Sequence, residues 1–424
     1  VDFFQALFGF KERDLSYSEV QSRFTLEDGG RTLLSKVNGR RFNIGSFTCL
    51  TLGELREAGR QLAQQSASAL APSAENSPPL VVRHVLTLGA MEDHAKAEHA
   101  GALFQVASQF NCLEFTSKAG TPEDGVTVYA RDPTQGPACA IACAPGAVYR
   151  NYLLHVPDGS GGQQLGQTCK NQLDTLKDVA LLLGNDDGTR GRYFWLENGY
   201  VVSDLSRLRG LRARVESLDE AGRDELRASL RVGVTEGADV VVRGSMRARR
   251  SSASPYFLVD EVGSPCSQRV SQVYCSALNV ISSDTDPGDW EPFARLVLEA
   301  TYEATLWAAV RNARQQVDVS GRNRVVLTLV GGGVFGNEPE WIAEAVNRAL
   351  AVLAAAAPPG GWGLEVCIAH FQNVNRTLEE CVHLGAPMRL PPWICAACSS
   401  SMPALREKCR QCRARRPSPG TALS

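Results

Sequence analysis

Residues 325 to 369 limit the fold more than any other part of the chain. Val325 to Val330 is apolar apart from Thr328, the pattern of a strand buried on both faces. It runs into Gly331-Gly332-Gly333-Val334-Phe335-Gly336-Asn337 and then a helical stretch from Pro339 to Leu353, and Leu364 to Ala369 reads as a second buried strand. Strand, glycine turn, helix and strand form a βαβ unit, which implies a parallel pair joined by a right-handed crossover. Just upstream, Phe293, Val297, Ala300, Ala304 and Trp307 line one stripe of a long amphipathic helix from Trp290 to Arg314. The expected fold class is α/β: a mixed, largely parallel sheet flanked by helices, with an N-terminal α+β segment and a small C-terminal zinc finger.

The rest of the chain divides by texture. Residues 1–62 mix strand-like runs with turns at Asp28-Gly29-Gly30 and Asn38-Gly39, and end in a helical pattern at Leu52 to Leu62. Residues 63–79 are rich in Ala, Ser and Pro and read as a linker. An α/β domain then spans 80–375, with strands at Leu80 to Leu86, Ala238 to Val242 and Val270 to Leu278. Ala102 to Ala107 reads as a helix end or a strand, and Gly136 to Leu154 as a helix. Asn198-Gly199 between apolar runs marks a hairpin. Ser217 with Glu220 three residues on reads as the capping box of a following helix. Residues 376–390 read as a second linker and 417–424 as a disordered tail.

With 424 residues, 44% of them hydrophobic and 21% charged, the chain can bury a substantial core, which excludes wholesale disorder. Its apolar stretches fall short of the roughly 20 residues needed to span a bilayer. Phe3, Phe4, Leu7 and Phe8 lack the basic leader of a signal peptide. A net charge of −2 argues against the whole chain coating nucleic acid or an anionic membrane. Of the 13 cysteines, nine are scattered and four are packed near the end. That distribution suits intracellular thiols with one metal site, in cytoplasm or nucleus, better than a disulfide framework.

Consecutive glycines between a buried strand and a helix have a chemical meaning. They remove the Cβ atoms that would hold a ligand off, and they let backbone N–H groups converge on an anion at the positive end of the helix. The stretch from Arg324 to Leu350 resembles the second phosphate-binding loop and helix of macrodomains, especially the poly(ADP-ribose) glycohydrolase-like branch. It is carried by Gly331, Gly333, Val334, Phe335, Gly336 and Asn337, followed by Glu338 and Pro339. The resemblance spans residues 81–372, with residues 155–260 as an insertion. It implies that Gly331, Gly332, Gly333, Val334, Phe335, Gly336 and Asn337 contact ADP-ribose or a related nucleotide diphosphate. Asn111, in Gln105 to Glu114, matches the first-loop asparagine on the distal ribose, and Gln135 with Gly136 matches the helix start beyond it. The glycohydrolases' glycine run and Gln-Glu-Glu triad near the first loop have no counterpart here. Cleavage of a glycosidic bond needs an acid or an oriented water. The nearest carboxylates are Glu114, Glu123, Asp124 and Asp132, and Glu114 and Asp124 are taken as the catalytic candidates.

At the C-terminus, Cys395-Ala396-Ala397-Cys398 and Cys409-Arg410-Gln411-Cys412 are separated by ten residues. Two such knuckles place four thiolates tetrahedrally about a structural Zn²⁺. A module this small has little core, so metal binding would supply its folding energy. With Trp393 two residues before the first ligand, residues 391–416 resemble the zinc finger of the Ran-binding nucleoporin type. The resemblance implies single-stranded RNA, ubiquitin or small GTPases as partners. The motif's Asn is here Met402, the ubiquitin-binding Thr-Phe pair is Ser399-Ser400, and of the RNA-binding arginine pair only Arg406 remains. Arg406, Arg410, Arg413, Arg415 and Arg416 would still attract a polyanion. Two functions are therefore expected from different classes. One is recognition of ADP-ribose, free or on a macromolecule, with or without hydrolysis of its linkage. The other is a non-enzymatic adaptor whose zinc finger binds RNA or ubiquitin, with the α/β body as scaffold.

Overall fold

The computed structural model describes residues 2–68, 80–186, 190–242, 268–281, 285–315 and 319–389, with short strands at 246–248, 257–259, 393–394 and 401–402 and residue 398. The chain begins with helices α1 (Phe3–Phe8) and α2 (Tyr17–Ser22) and a three-stranded sheet of β1 (Phe24–Glu27), β2 (Thr32–Ser35) and β3 (Arg41–Asn43). Then come β4 (Ser46–Thr51), α3 (Leu52–Ser68), β5 (Val81–Thr87), α4 (Ala90–Ala95), β6 (Leu103–Ala107), α5 (Gln135–Ala142) and α6 (Ala144–Val148). A peripheral stretch holds β7 (His155–Pro157), β8 (Gln163–Leu165), α7 (Lys177–Leu183), β9 (Trp195–Glu197), β10 (Tyr200–Val202), α8 (Leu205–Glu216) and α9 (Glu220–Ser229). The last part runs through β11 (Arg231–Asp239), β12 (Met246–Ala248), β13 (Phe257–Val259), β14 (Arg269–Cys275), α10 (Pro287–Gln315), β15 (Arg324–Leu327), α11 (Pro339–Ala355), β16 (Glu365–Phe371) and α12 (Arg376–Cys381), ending in β17 (Trp393–Ile394) and β18 (Ser401–Met402).

Seven strands form the central sheet in the order β4-β11-β14-β6-β15-β16-β5. The five strands from β14 to β5 are mutually parallel, and β11 is antiparallel to both its neighbours. The βαβ expectation holds, with β15 and β16 paired from Arg324↔Glu365 to Leu327↔Ile368. Side chains alternate between two cores, as the period of two requires. Leu103, Val325, Leu327, Val366 and Ile368 pack with the layer of α3, α8, α9, α10 and α11. Phe104, Val326 and Cys367 pack on the other side with α5, α6 and the phenylalanines of α1. The molecule is a helix–sheet–helix sandwich.

Several boundaries differ from the sequence reading. The N-terminal segment does not stand apart, because β4 forms an edge of the central sheet and α3 packs on α10. Helix α3 runs to Ser68, into the stretch read as a linker, and residues 69–79 lie outside the described residues. Within the expected insertion, β11 is a full member of the sheet. The helix expected over Gly136 to Leu154 breaks at Cys143 (φ −118°, ψ 48°), where Pro145 opens α6, and it ends in a wider turn at Tyr149–Leu153. The cap of α9 is Asp219, whose carboxylate accepts from Gly222 N at 2.9 Å, while Ser217 ends α8. The stretch 376–390 contains α12 and is tied down. Asn347 donates to the carbonyls of Cys381 and Pro387, and Arg389 pairs with Glu299 and Glu344.

Helix α10 is not merely striped but buried almost all round, since four helices pack on it. Its buried glutamates are therefore paired, as low-dielectric surroundings demand. Glu303 meets Arg56 at 2.6 Å and Arg348 at 2.6 Å, and Arg227 meets Glu299 at 2.9 Å. Burial pushes the Glu303 carboxyl up, but the two guanidiniums together hold it below its ordinary value.

The zinc-finger expectation falls on residues 391–416. Cys395, Cys409 and Cys412 and the arginines Arg406, Arg410, Arg413, Arg415 and Arg416 lie outside the described residues, as does the tail. What is described there is the antiparallel pairing Trp393↔Met402 and Ile394↔Ser401. Among the described residues there is no group of three or more His, Cys, Asp or Glu placed to hold a metal, and no helix is long and apolar enough to cross a membrane.

Candidate functional site

Ligand crevices in open α/β sheets form where chain connections leave adjacent strands in opposite directions. That point lies between β6 and β15. The chain after β6 goes on to β11 and β14 on one side, and after β15 it goes to β16 on the other. A cleft of about 660 Å³ opens there, at the carboxyl ends of β5, β6, β15 and β16, within the size range of small-molecule sites.

One wall is the glycine turn. Its frame is fixed by buried groups. Tyr302 Oη donates to Thr328 O at 2.7 Å and accepts from Val330 N at 3.0 Å, and Thr328 N donates to Gln105 Oε1 at 3.2 Å. Asn337 Nδ2 donates to Leu278 O at 2.8 Å, and Asn337 N donates to Gly331 O at 2.9 Å. Gly331 needs its glycine twice over, with φ of 77° and no room for a Cβ beside Ala277 and Asn337. Phe335 leans on Tyr200 of the hairpin at 5.6 Å between ring centres, and its carbonyl accepts from Val280 N.

The amide inventory of the turn is informative. Gly332 N, Gly336 N and Asn337 N are spent on carbonyls within the turn. The N–H groups of Gly331, Gly333, Val334 and Phe335 have no partner among the described residues. Gly331, Gly332, Gly333, Val334 and Phe335 all line the cleft. Gly333 and Val334 are exposed and Gly331 and Phe335 half-buried, so these four donors face solvent at the cleft wall and are open to an acceptor that enters it.

The opposite wall is the start of α5. Thr134, its N-cap, makes no side-chain cap, so the first-turn amides are not covered by it. Gln135 and Gly136 line the cleft as expected, but the Gln135 side chain is spent on β6. Its Oε1 accepts from Ala107 N at 2.8 Å and its Nε2 donates to Gln105 O at 2.7 Å. A Cβ at Gly136 would fall inside the shell of the Ala107 carbonyl oxygen, so glycine allows α5 to approach β6.

Glu114 lines the floor, 1% exposed, with both carboxylate oxygens on Arg150 Nη2 at 2.9 and 3.0 Å. Burial pushes its pKa up to about 7 against the pull of Arg150. Arg150 is held in turn by Cys112 O, by Tyr274 Oη at 2.6 Å and by the Tyr274 ring at 3.8 Å.

Other expected residues stand elsewhere. Asn111 does not line the cleft. It is fully buried under the hairpin turn, where its Oδ1 accepts from Leu113 N and its Nδ2 donates to Gln172 Oε1. Asp124 does not line it either and accepts from Thr121 N at 2.9 Å. Glu123 accepts from Cys169 N, while Asp132 does line the cleft and accepts from Thr134 N at 2.7 Å. Gly336 and Asn337 support the turn from behind rather than lining the cleft. The sequence reading missed Asp93, Tyr200, His370, Phe371 and Asn375. Tyr200 reaches the site from a hairpin nearly 100 positions along from β6, which no local pattern signals. His370 and Phe371 come directly after the apolar run of β16 and were recoverable from the rule that strand ends carry the site.

The fold and site together define an α/β protein with a cleft at its sheet switch point, walled on one side by a turn of open backbone amides. No protein-family model matches the chain, and no curated protein matches it. Among solved structures, poly(ADP-ribose) glycohydrolase of Deinococcus radiodurans in complex with ADP-ribose is similar at 12% identity and a TM-score of 0.35, covering 79% of this chain and 92% of that one. The enzyme of Thermomonospora curvata is similar at 14% identity and a TM-score of 0.35, covering 85% and 93%. Superpositions this loose leave the chemistry of the cleft to be read from its own residues.

Proposed function

We propose that the cleft binds ADP-ribose or a related nucleotide diphosphate, with the diphosphate on the glycine turn. The observation that carries this is the set of four unpartnered amides at Gly331, Gly333, Val334 and Phe335, in a turn braced from behind by Tyr302 and Asn337. Preorganised backbone donors bind an anion without paying to reorganise, and they favour a group with several acceptor oxygens. The likeness of this turn's sequence to the macrodomain loop supports the same ligand.

For hydrolysis, the group we assign is Glu114. Burial raises this carboxyl's pKa against the pull of Arg150, the direction in which a general acid is tuned. Titration calorimetry with ADP-ribose tests binding. Micromolar affinity that survives replacement of adenosine by another nucleoside, but not removal of the diphosphate, is expected. Failure of ADP-ribose to bind at millimolar concentration would reduce the α/β body to a scaffold. Release of ADP-ribose from an ADP-ribosylated protein or nucleic acid, lost in Glu114→Gln with binding retained, would establish turnover.

We propose further that Cys395, Cys398, Cys409 and Cys412 hold one structural Zn²⁺. The pairing of β17 with β18 brackets the first Cys-x-x-Cys, an arrangement that suits a zinc knuckle. One zinc per full chain by elemental analysis, lost on Cys395→Ser with Cys409→Ser, is the expected result.

A further inference from the structure

We propose that the outer face of the β9–β10 hairpin, with the start of α8 beside it, binds a single strand of nucleic acid. Trp195 on β9 is partly exposed, and the guanidinium groups of Arg190 and Arg207 stand 5.1 and 5.9 Å from its ring centre. Arg192 stands 5.8 Å from the centre of Tyr193, whose ring lies against Gly210 of α8. Lys118 completes the group, 3.2 Å from Glu197, the carboxylate that also accepts from Trp195 Nε1 at 2.8 Å. Two acids face the group, and each has a cation: Glu197 has Lys118, and Asp204 has Arg207. Arg190 and Arg192 are exposed and form no salt bridge among the described residues, although, after the hydrogen bond from Trp195, the charges of Lys118 and Arg190 help hold Glu197 below its ordinary pKa.

A guanidinium lying against an aromatic face keeps its N–H donors available to phosphate oxygens. Alternation of such cations with partly exposed rings is the arrangement that follows a sugar–phosphate backbone and stacks its bases. A duplex supplies the phosphates but hides its base faces, so Trp195 and Tyr193 would go unused; hence a single strand.

The face adjoins the cleft mouth. Tyr200, on the partner strand of the hairpin, lines the cleft, and so does Thr116, two residues before Lys118. A strand carrying a nucleotide diphosphate in the cleft would leave across this surface. That joint use rests on the cleft reading, whereas binding by the face does not.

The test uses the full chain and a fluorescein-labelled 12-nucleotide RNA of mixed sequence, read by anisotropy, beside a duplex of equal length. With about two phosphates neutralised, by Arg190 and Arg192, the single-strand slope of about −0.7 per contact predicts a loss of roughly 7-fold between 50 and 200 mM salt. Arg190→Glu with Arg192→Glu should weaken the single strand at least tenfold and cut the salt slope by about 1.4. Trp195→Ala should weaken it with the slope unchanged. Both variants should keep the wild-type circular dichroism and the wild-type affinity for ADP-ribose. Absence of strand binding by the wild type, equal binding by the charge-reversed variant, or a preference for the duplex would each overturn the proposal. Failure of ADP-ribose alone to bind would count against the cleft and leave the strand result standing.

Discussion

Gly333→Glu is the sharpest perturbation of the cleft. A Cβ at Gly333 meets nothing within 4 Å, and its φ lies outside the left-handed region, so a side chain there projects into open space without backbone strain. The added carboxylate would stand about 5 Å from a phosphate charge held on the neighbouring amides. At an effective dielectric of about 20 that is a repulsion of roughly 3 kcal/mol, and at about 40 roughly half as much. Affinity for ADP-ribose should therefore fall between about 10- and 200-fold, while Gly333→Ala should stay within about twofold. Calorimetry at low and high salt gives the numbers, and thermal melting confirms that both variants are folded. If Gly333→Glu binds as the wild type does, or Gly333→Ala loses as much as the glutamate, the diphosphate does not sit on this turn. Gly332 is a poorer probe, because its Cβ would meet Ile342 Cδ1 at 2.9 Å and confound repulsion with repacking.

Other outcomes come from the same structure. Asn337→Ala leaves Leu278 O without its donor and should cost about 1–2 kcal/mol in urea unfolding, with a weaker ADP-ribose isotherm; unchanged values in both would show that the turn is held otherwise. Gly136→Ala forces α5 away from the Ala107 carbonyl and should cost roughly 2–4 kcal/mol in the same unfolding assay, whereas a neutral effect would mean the approach is not required. Asp224, held down to about 2 chiefly by Arg56, contributes stability that is full above about pH 4 and lost as the pH falls towards 2. Because that side chain is 41% exposed, Asp224→Asn should lower stability by only about 1 kcal/mol at pH 7, and the two proteins' unfolding curves should converge only below about pH 2.

Much of the frame was legible because it is written locally. The apolar run at Val325, the glycine turn and the helix from Pro339 each arise from nearest-neighbour pattern, as does the hairpin at Asn198-Gly199, where φ is positive at both residues. What was not legible depends on pairing between distant segments. Nothing in Ser46 to Thr51 announces that it lies against Arg231 to Glu236. The burial of Glu299 and Glu303 could not be foreseen without the arginines that four other segments bring to them. At the site, the glycine turn was found because glycine is required there, while Asn111 misled because an asparagine in a loop serves the loop's own backbone as readily as a ligand. Tyr200 and Asp93 carry no signature at all outside the assembled cleft.

The first and second contributions of the chain to the central sheet, β4 and β5, lie at its opposite margins. Six inter-strand spacings of about 4.8 Å separate them, so the polypeptide from Thr51 to Val81 must cross close to 30 Å before the remaining strands fill the gap. Neither margin can be completed by the other's neighbours. Severing the backbone between 69 and 79 would accordingly yield two pieces that stay clasped, one supplying a border strand and a packed helix to the other, and a protein expressed from residue 80 onward would begin life with one border missing.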